Sequence, residues 1–176
     1  NEFPTSPYAE KVSSYLVEVY MNTRSYDAAL KSIDRIAKPS AQILEAKQKI
    51  LFQLGTQSFA NADFEQALKY LNQSIAIGQY NRQTKADAYY WCGESYYRLN
   101  RMVEAARDFN AYLQLTTQPN NEMYALANYN LGYIAFHRKD YTQASNYFQK
   151  YVQLEKGENA TALADAYNRI GDCHLH

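Results

Sequence analysis

Four glycines recur at one register in this chain. Gly55, Gly93, Gly132 and Gly171 stand 38, 39 and 39 residues apart, and one further step of 38 back from Gly55 reaches Val17 in an equivalent context. Such regular spacing marks a stacked architecture, in which each unit is one supersecondary element that cannot bury its apolar face alone. The residues around these anchors repeat as well. Twelve places after each of the first four comes an alanine (Ala29, Ala67, Ala105, Ala144), and four further on a large apolar residue (Ile33, Leu71, Phe109, Phe148). Nine places after the anchor stands Tyr26, Phe64, Met102 or Tyr141, and just before it Leu16, Leu54, Cys92, Leu131 or Ile170.

Glycine inside a helix costs about 0.5–1 kcal/mol relative to alanine, so four at one register need a physical reason. Close approach of two helices supplies it: without a Cβ at the anchor, the leading helix of each pair is expected to lie against the alanine of the trailing helix. The other two glycines, Gly78 and Gly157, follow the apolar pattern of trailing helices and fit C-cap positions with positive φ. Pro4, Pro7, Pro39 and Pro119 all fall in expected connections. Asp63 with Gln66, and Asp140 with Gln143, resemble capping boxes, Ser25 offers a simpler cap, and the third hairpin is expected to turn on Asn100. These signals predict nine helices, at roughly 8–22, 25–37, 40–61, 63–77, 81–99, 101–114, 120–138, 140–154 and 160–175. They form a single array over 1–176, with repeats near 8–38, 40–78, 81–115 and 120–156 and a partial repeat at 160–176.

The run Tyr89-Tyr90-Trp91-Cys92-Gly93 through Ala105 and Phe109, and Asn128-Tyr129-Asn130-Leu131-Gly132 through Ala144 and Phe148, resembles the tetratricopeptide repeat. That resemblance implies an all-α fold, a right-handed superhelical α-solenoid of four full hairpins plus one extra helix, serving as a non-catalytic protein-binding scaffold. The chain departs from the common pattern in its longer spacing, and in Tyr112 and Tyr151 where the family has a small residue. Longer repeats with a leading segment such as Phe3-Pro4-Thr5-Ser6-Pro7-Tyr8 look like those of bacterial envelope proteins, including outer-membrane assembly lipoproteins and Tol-Pal-associated periplasmic proteins. Periplasm or cell envelope is therefore slightly favoured over cytoplasm.

Charge narrows the partners. Lysine plus arginine number 18, equal to aspartate plus glutamate, and neither half of the chain has a surplus of more than one. Without a basic stripe there is no counterion-release term to hold nucleic acid, and no polybasic contact for a membrane surface. No apolar run approaches the ~18 residues needed to cross a bilayer, so no direct membrane insertion is expected, and Asn1 to Glu10 lacks a signal-peptide pattern. Cys92 and Cys173 fall two repeats apart, too far for a disulfide between them.

The resemblance also implies which positions face the concave side: one, four and five places after the anchor, and two and three before it. Those places hold Tyr15, Phe52, Phe59, Tyr90, Trp91, Tyr97, Tyr129, Tyr133 and Phe136, interleaved with Glu18, Gln53, Glu94, Asn130 and His137. Aromatic side chains give large contact area for little lost entropy, which makes them recurrent binding anchors. The expected site is thus an aromatic groove of Phe52, Phe59, Tyr90, Trp91, Glu94, Tyr97, Tyr129, Asn130, Tyr133 and Phe136. It would hold an extended or helical apolar segment of another protein between the second and fourth hairpins. Two alternatives stand beside this: several of the rings bridge neighbouring repeats as core, or the groove stacks on glycan or peptidoglycan. A carboxylate clamp, which presents lysine, asparagine and arginine on these faces, is not expected, because the matching places are held mostly by tyrosine, phenylalanine and acids.

No chemistry competes with binding. Gly93-Glu94-Ser95 lies within a predicted helix and not on a strand-to-helix turn, no glycine-rich phosphate loop is present, and no nucleophile, base and orienter share a register. His174 and His176, two apart on a helix, point in different directions beside Cys173 and lack a fourth metal ligand. No enzyme, cofactor or metal is expected. The final leading helix, with Leu163, Tyr167, Ile170 and Leu175, has no trailing helix to cover it. That implies an excerpt from a longer array, self-association or cover by another chain, or a frayed or tag-derived end at His174-Leu175-His176.

Overall fold

A computed structural model describes residues 7–155, 157 and 159–176. Among them it has nine α-helices and no strand. They are α1 (Pro7–Asn22), α2 (Tyr26–Asp34), α3 (Ala41–Ala60), α4 (Phe64–Ala76), α5 (Arg82–Arg98), α6 (Met102–Leu115), α7 (Glu122–His137), α8 (Tyr141–Leu154) and α9 (Ala160–His174). A 3-10 turn at Gly78–Tyr80 leads into α5. Odd-numbered helices pair with the next even-numbered ones, and each even-numbered helix also meets the leading helix of the following pair, which makes a solenoid. Residues 3–6 of the envelope-like leading segment lie outside the described residues.

The glycine register works through a different contact from the one expected. A Cβ on Gly55 would lie 2.6 Å from Leu71, one on Gly93 2.7 Å from Phe109, and one on Gly132 2.7 Å from Phe148. The space at each anchor is therefore taken by the large apolar residue sixteen places on, and not by the alanine, whose nearest approach is a backbone oxygen of Ala67 at 3.4 Å from Gly55. The alanines Ala29, Ala67, Ala105 and Ala144 are fully buried beside this contact, as are Leu71, Phe109 and Phe148. A Cβ on Gly171 would meet nothing within 4 Å, because no trailing helix covers α9 among the described residues; Tyr167 on the same helix and Leu175 at its C-cap are exposed.

Each hairpin turns on one non-glycine residue in the left-handed region: Arg24 (φ 58), Ala62 (φ 59), Asn100 (φ 59) and Lys139 (φ 65). The following amide closes a six-residue ring onto the helix just ended, from Ser25 to Tyr20, Asp63 to Ser58, Arg101 to Tyr96 and Asp140 to Ala135, at 2.8–3.0 Å. This Schellman arrangement satisfies carbonyls at the end of the leading helix and fixes the reversal. Asn100 makes the third turn, as its chemistry suggests. Asp63 and Asp140 then accept from the amides of Gln66 and Gln143 at 3.2 Å, capping α4 and α8.

Four local expectations need correction. Ser25 makes no side-chain cap on α2; its hydroxyl accepts instead from Thr23 Oγ1. Gly78 is not a positive-φ cap, since it opens the 3-10 turn and is buried under the stem of Lys85, which a Cβ there would meet at 2.5 Å. Pro7 begins α1 instead of preceding it, a position where the missing N–H costs nothing. The second helix stops at Asp34, three residues early, because the chain turns to bury Ile36 before Pro39. Gly157 does adopt positive φ, at 83°.

These contacts make opposite predictions for one substitution. Gly93→Ala should cost about 1–3 kcal/mol by overpacking against Phe109, whereas Gly171→Ala should stabilise by about 0.5–1 kcal/mol through helix propensity alone. Urea denaturation of both variants checks this, and equal effects would dismiss the close-approach account. Ala62→Gly should likewise stabilise the fold, by about 0.5–1 kcal/mol, as it relieves a left-handed alanine.

Candidate functional site

The register positions expected to face the concave side lie on the leading helices α3, α5, α7 and α9, and they fall at three depths. Three places before the anchor stand Phe52, Tyr90 and Tyr129. Their rings turn inward toward the trailing helices: Tyr90 meets Phe109 at 5.7 Å and Tyr112 at 5.4 Å, and Tyr129 meets Phe148 at 6.0 Å and Tyr151 at 4.9 Å. Tyr90 is only 3% exposed and belongs to the core, which corrects its place among the groove residues. The physical reason is Tyr112: its ring, standing where a small residue was expected, packs against Tyr90 and closes over it. Phe52 and Tyr129 are half-buried.

Four places after the anchor, Phe59, Tyr97 and Phe136 sit at the turn end of the wall, half-buried. Phe59 meets Phe64 at 5.2 Å and Phe136 meets Tyr141 at 5.5 Å, edge to face, so each ring staples its own hairpin. Between these rows lie Trp91, Glu94, Asn130 and Tyr133, all half-buried. Trp91 meets Phe59 of the preceding leading helix at 4.9 Å, and the Arg98 guanidinium lies over the Phe59 ring, 5.3 Å from its centroid.

Side-chain ties fasten successive leading helices. Asn130 Nδ2 donates to Glu94 Oε1 from α7 to α5, and Arg98 pairs with the same carboxylate at 3.5 Å. Tyr129 donates to Asp165 Oδ2 at 2.8 Å, and Tyr133 donates to that same oxygen, joining α7 to α9. Arg169 pairs with Asp172 at 3.1 Å and lies 5.8 Å over Phe136. Sequence reasoning missed Arg98, Asp165 and Arg169. Arg98 and Arg169 occupy groove positions, five after Gly93 and two before Gly171, so carrying the same rule across every anchor finds them. Asp165 has no such signal, since it lies six places before its anchor.

Burial pushes the Glu94 carboxyl above the usual carboxylate range, against the opposing pull of Arg98 and the Asn130 hydrogen bond. Burial, then the bond to Asp165, raises the Tyr133 phenol to about 12, and the same causes raise Tyr129 further. Both phenols therefore stay protonated and remain donors to Asp165. Burial also raises the Cys92 thiol, and both cysteines are free and buried. Among the described residues no three His, Cys, Asp or Glu side chains cluster to hold a metal ion, and no helix is long and apolar enough to cross a membrane.

The fold and its wall define an α-solenoid of helical hairpins. Two family profiles, each described as Tetratricopeptide repeat, match residues 52–122 and 125–157, together more than half of the chain. The chain belongs to the tetratricopeptide repeat family, whose members are protein-interaction scaffolds. No curated protein matches it significantly in sequence. Among solved structures, BtubC (BKLC) from P. vanneervenii is similar with a TM-score of 0.63 at 13% identity, over 93% of this chain and 70% of that one. YrrB, described as a TPR protein with an unusual peptide-binding site, matches with a TM-score of 0.61 at 15% identity, over 93% and 75%. MamA 41-end from Desulfovibrio magneticus RS-1 matches with 0.56 at 15% identity, over 97% and 95%. At these identities the likeness shows the fold, a right-handed superhelical solenoid.

Glu94 gives a pH test of the groove's electrostatics. A carboxyl whose folded pKa exceeds its unfolded value of 4.5 binds its proton more tightly in the folded state. Its contribution to stability therefore falls as pH rises from 4.5 through that raised value. Glu94→Gln, whose amide oxygen still accepts from Asn130, should be more stable than the parent at pH 7, and the gap should close as pH falls to 4.5. Thermal melts across that range check this; a parent more stable at neutral pH would mean that the Arg98 pair outweighs burial.

Proposed function

We propose that the concave wall of α3, α5, α7 and α9 holds an extended or helical apolar segment of a partner protein. The observation that carries this reading is the platform made by Phe59 and Trp91. Rings from two successive leading helices meet at 4.9 Å while both remain only half-buried. Arg98 at the edge of this platform supplies a cation for a backbone carbonyl or acidic side chain of the guest, with its methylene stem adding apolar contact. Beyond it, the Asn130 and Asp165 ties hold the wall in shape before any guest arrives, which lowers the entropy lost on binding. Peptide binding by the structurally similar YrrB is consistent with this use of the fold.

We also infer that the open side of α9 associates with a second copy. Tyr167 is 57% and Leu175 83% exposed there, beside the vacant surface of Gly171. Sedimentation should show mass rising with concentration, and Tyr167→Lys should abolish the rise; a parent monomeric at all concentrations rules this contact out.

Trp91 is the sole tryptophan, so its emission reports on the groove directly. Titration with a panel of apolar and amphipathic peptides should shift the emission saturably. With the best of these, Tyr133→Ala by fluorescence and Trp91→Ala by calorimetry should each weaken binding by about tenfold or more. A shift with peptidoglycan fragments and none with peptides would replace this reading by the glycan one; unchanged affinities in both variants would place the guest elsewhere.

A further inference from the structure

Each of the leading helices α3, α5 and α7 turns one face to the trailing helix of its own hairpin, and that face is covered. Seven places before the anchor Gln48, Ala86 and Ala125 are buried there, and three places after it Tyr96 and Ala135. The anchors Gly55, Gly93 and Gly132 are buried with them. On α9 the same places are Ala164, His174 and Gly171, and all three are exposed. Tyr167, four places before its anchor, is 57% exposed where Leu51 is 1% and Asn128 4%. Among the described residues α9 thus presents a bare strip of Ala164, Tyr167, Gly171 and His174, at steps of three, four and three residues along one helical face. Leu163 and Leu175 flank its two ends.

We propose that this strip pairs with itself: two copies of the chain join through α9, side by side and antiparallel, about a two-fold axis level with Arg169. The proposal rests on the reading above that α9 meets a second copy, and it gives that contact its register. Under such an axis, residues equally far from Arg169 on opposite sides meet. Tyr167 and Gly171 lie two places from it, Ala164 and His174 five, and Leu163 and Leu175 six. Tyr167 of one copy therefore covers Gly171 of the other, His174 covers Ala164, and the leucines meet at the two ends. Large meets small at each layer of the strip. The fold already makes this contact three times, with Leu71, Phe109 and Phe148 filling the space over Gly55, Gly93 and Gly132 in antiparallel helix pairs. Steps of three and four residues are also the spacing at which paired helices pack knobs into holes. Charge does not oppose the pairing. Asp165 is turned to Tyr129 and Tyr133, Arg169 lies over Phe136, and Asp172 pairs with Arg169, all on the side of α9 that faces α7. One helix of 15 residues per copy is a small contact beside the roughly 1,200–2,000 Å² of a stable pair, so the dimer is weak and exchanges with monomer.

Sedimentation equilibrium of the whole chain should show a monomer–dimer exchange that stops at two copies, since a two-fold contact closes on itself. Gly171→Leu should weaken the dimer by about tenfold or more, because the new side chain collides with Tyr167 of the other copy. The monomer should keep its fold, as a Cβ at Gly171 meets nothing within 4 Å. Tyr167→Ala should weaken the dimer too, by removing the ring. The double variant Tyr167→Ala, Gly171→Leu moves the large residue to the other side of the same layer and should recover most of the parent's affinity, a rescue peculiar to this register. Ala164→Leu, opposite His174 of the other copy, should act as Gly171→Leu does, and it carries the test if Gly171→Leu does not fold. Val103→Lys, 72% exposed on α6, should leave the exchange unchanged. A parent that is monomeric at all concentrations overturns this proposal together with self-association through α9. A dimer that tolerates Gly171→Leu or Ala164→Leu, a double variant no tighter than the single ones, or a mass that climbs beyond two copies overturns the two-fold register alone.

Discussion

The whole array is organised by a contact in which one helix has no side chain and its partner has a large one. At Gly55, Gly93 and Gly132 the backbone of the leading helix is pressed directly by Leu71, Phe109 and Phe148. Trading all the volume to one side of the interface brings two helix axes close without leaving a void, as interdigitating layers require. The first hairpin shares the volume differently, with Val17 facing the position of Ile33, and both are buried to 2%. Because the contact recurs at a fixed register, every pair closes in the same way and the leading helices share one wall.

How much of this is legible in the residues depends on whether a feature repeats with its chemistry. The helix pairs are legible because Gly, Ala and a large apolar residue return at the same intervals. The turns are not: Arg24, Ala62, Asn100 and Lys139 have one conformation and no common side-chain property, and only Asn100 belongs to a type that visits the left-handed region readily. Depth is also hidden. Tyr90 and Trp91 are neighbours on the same helix and the register points both at the concave side, yet the first is closed over by Tyr112 while the second keeps surface. Register gives direction around a helix, whereas depth depends on what the next element places on top.

The polar residues of the wall follow a similar logic. Glu94 and Asn130 have the look of free recognition groups in the sequence, but each is the other's partner. Asp165 gathers two phenols, so hydroxyls that would otherwise greet a guest are directed sideways into the next hairpin. What these positions leave for the guest proposed above is mostly ring surface and the tips of Arg98 and Arg169. Such a guest would be met by shape and apolar area more than by a fixed pattern of hydrogen bonds, in keeping with the neutral charge of the chain.

The fastenings between leading helices also act as rulers. The step from α5 to α7 is spanned by a glutamate and an asparagine, and that from α7 to α9 by an aspartate reaching two tyrosines. A longer or shorter side chain at either place changes the local spacing by one carbon, and a displacement near one end of a superhelix is multiplied over every unit beyond it. Curvature of the whole spiral, and with it the width of the channel along its inside, is thus open to adjustment by single methylene groups far from the helix contacts that keep the protein folded.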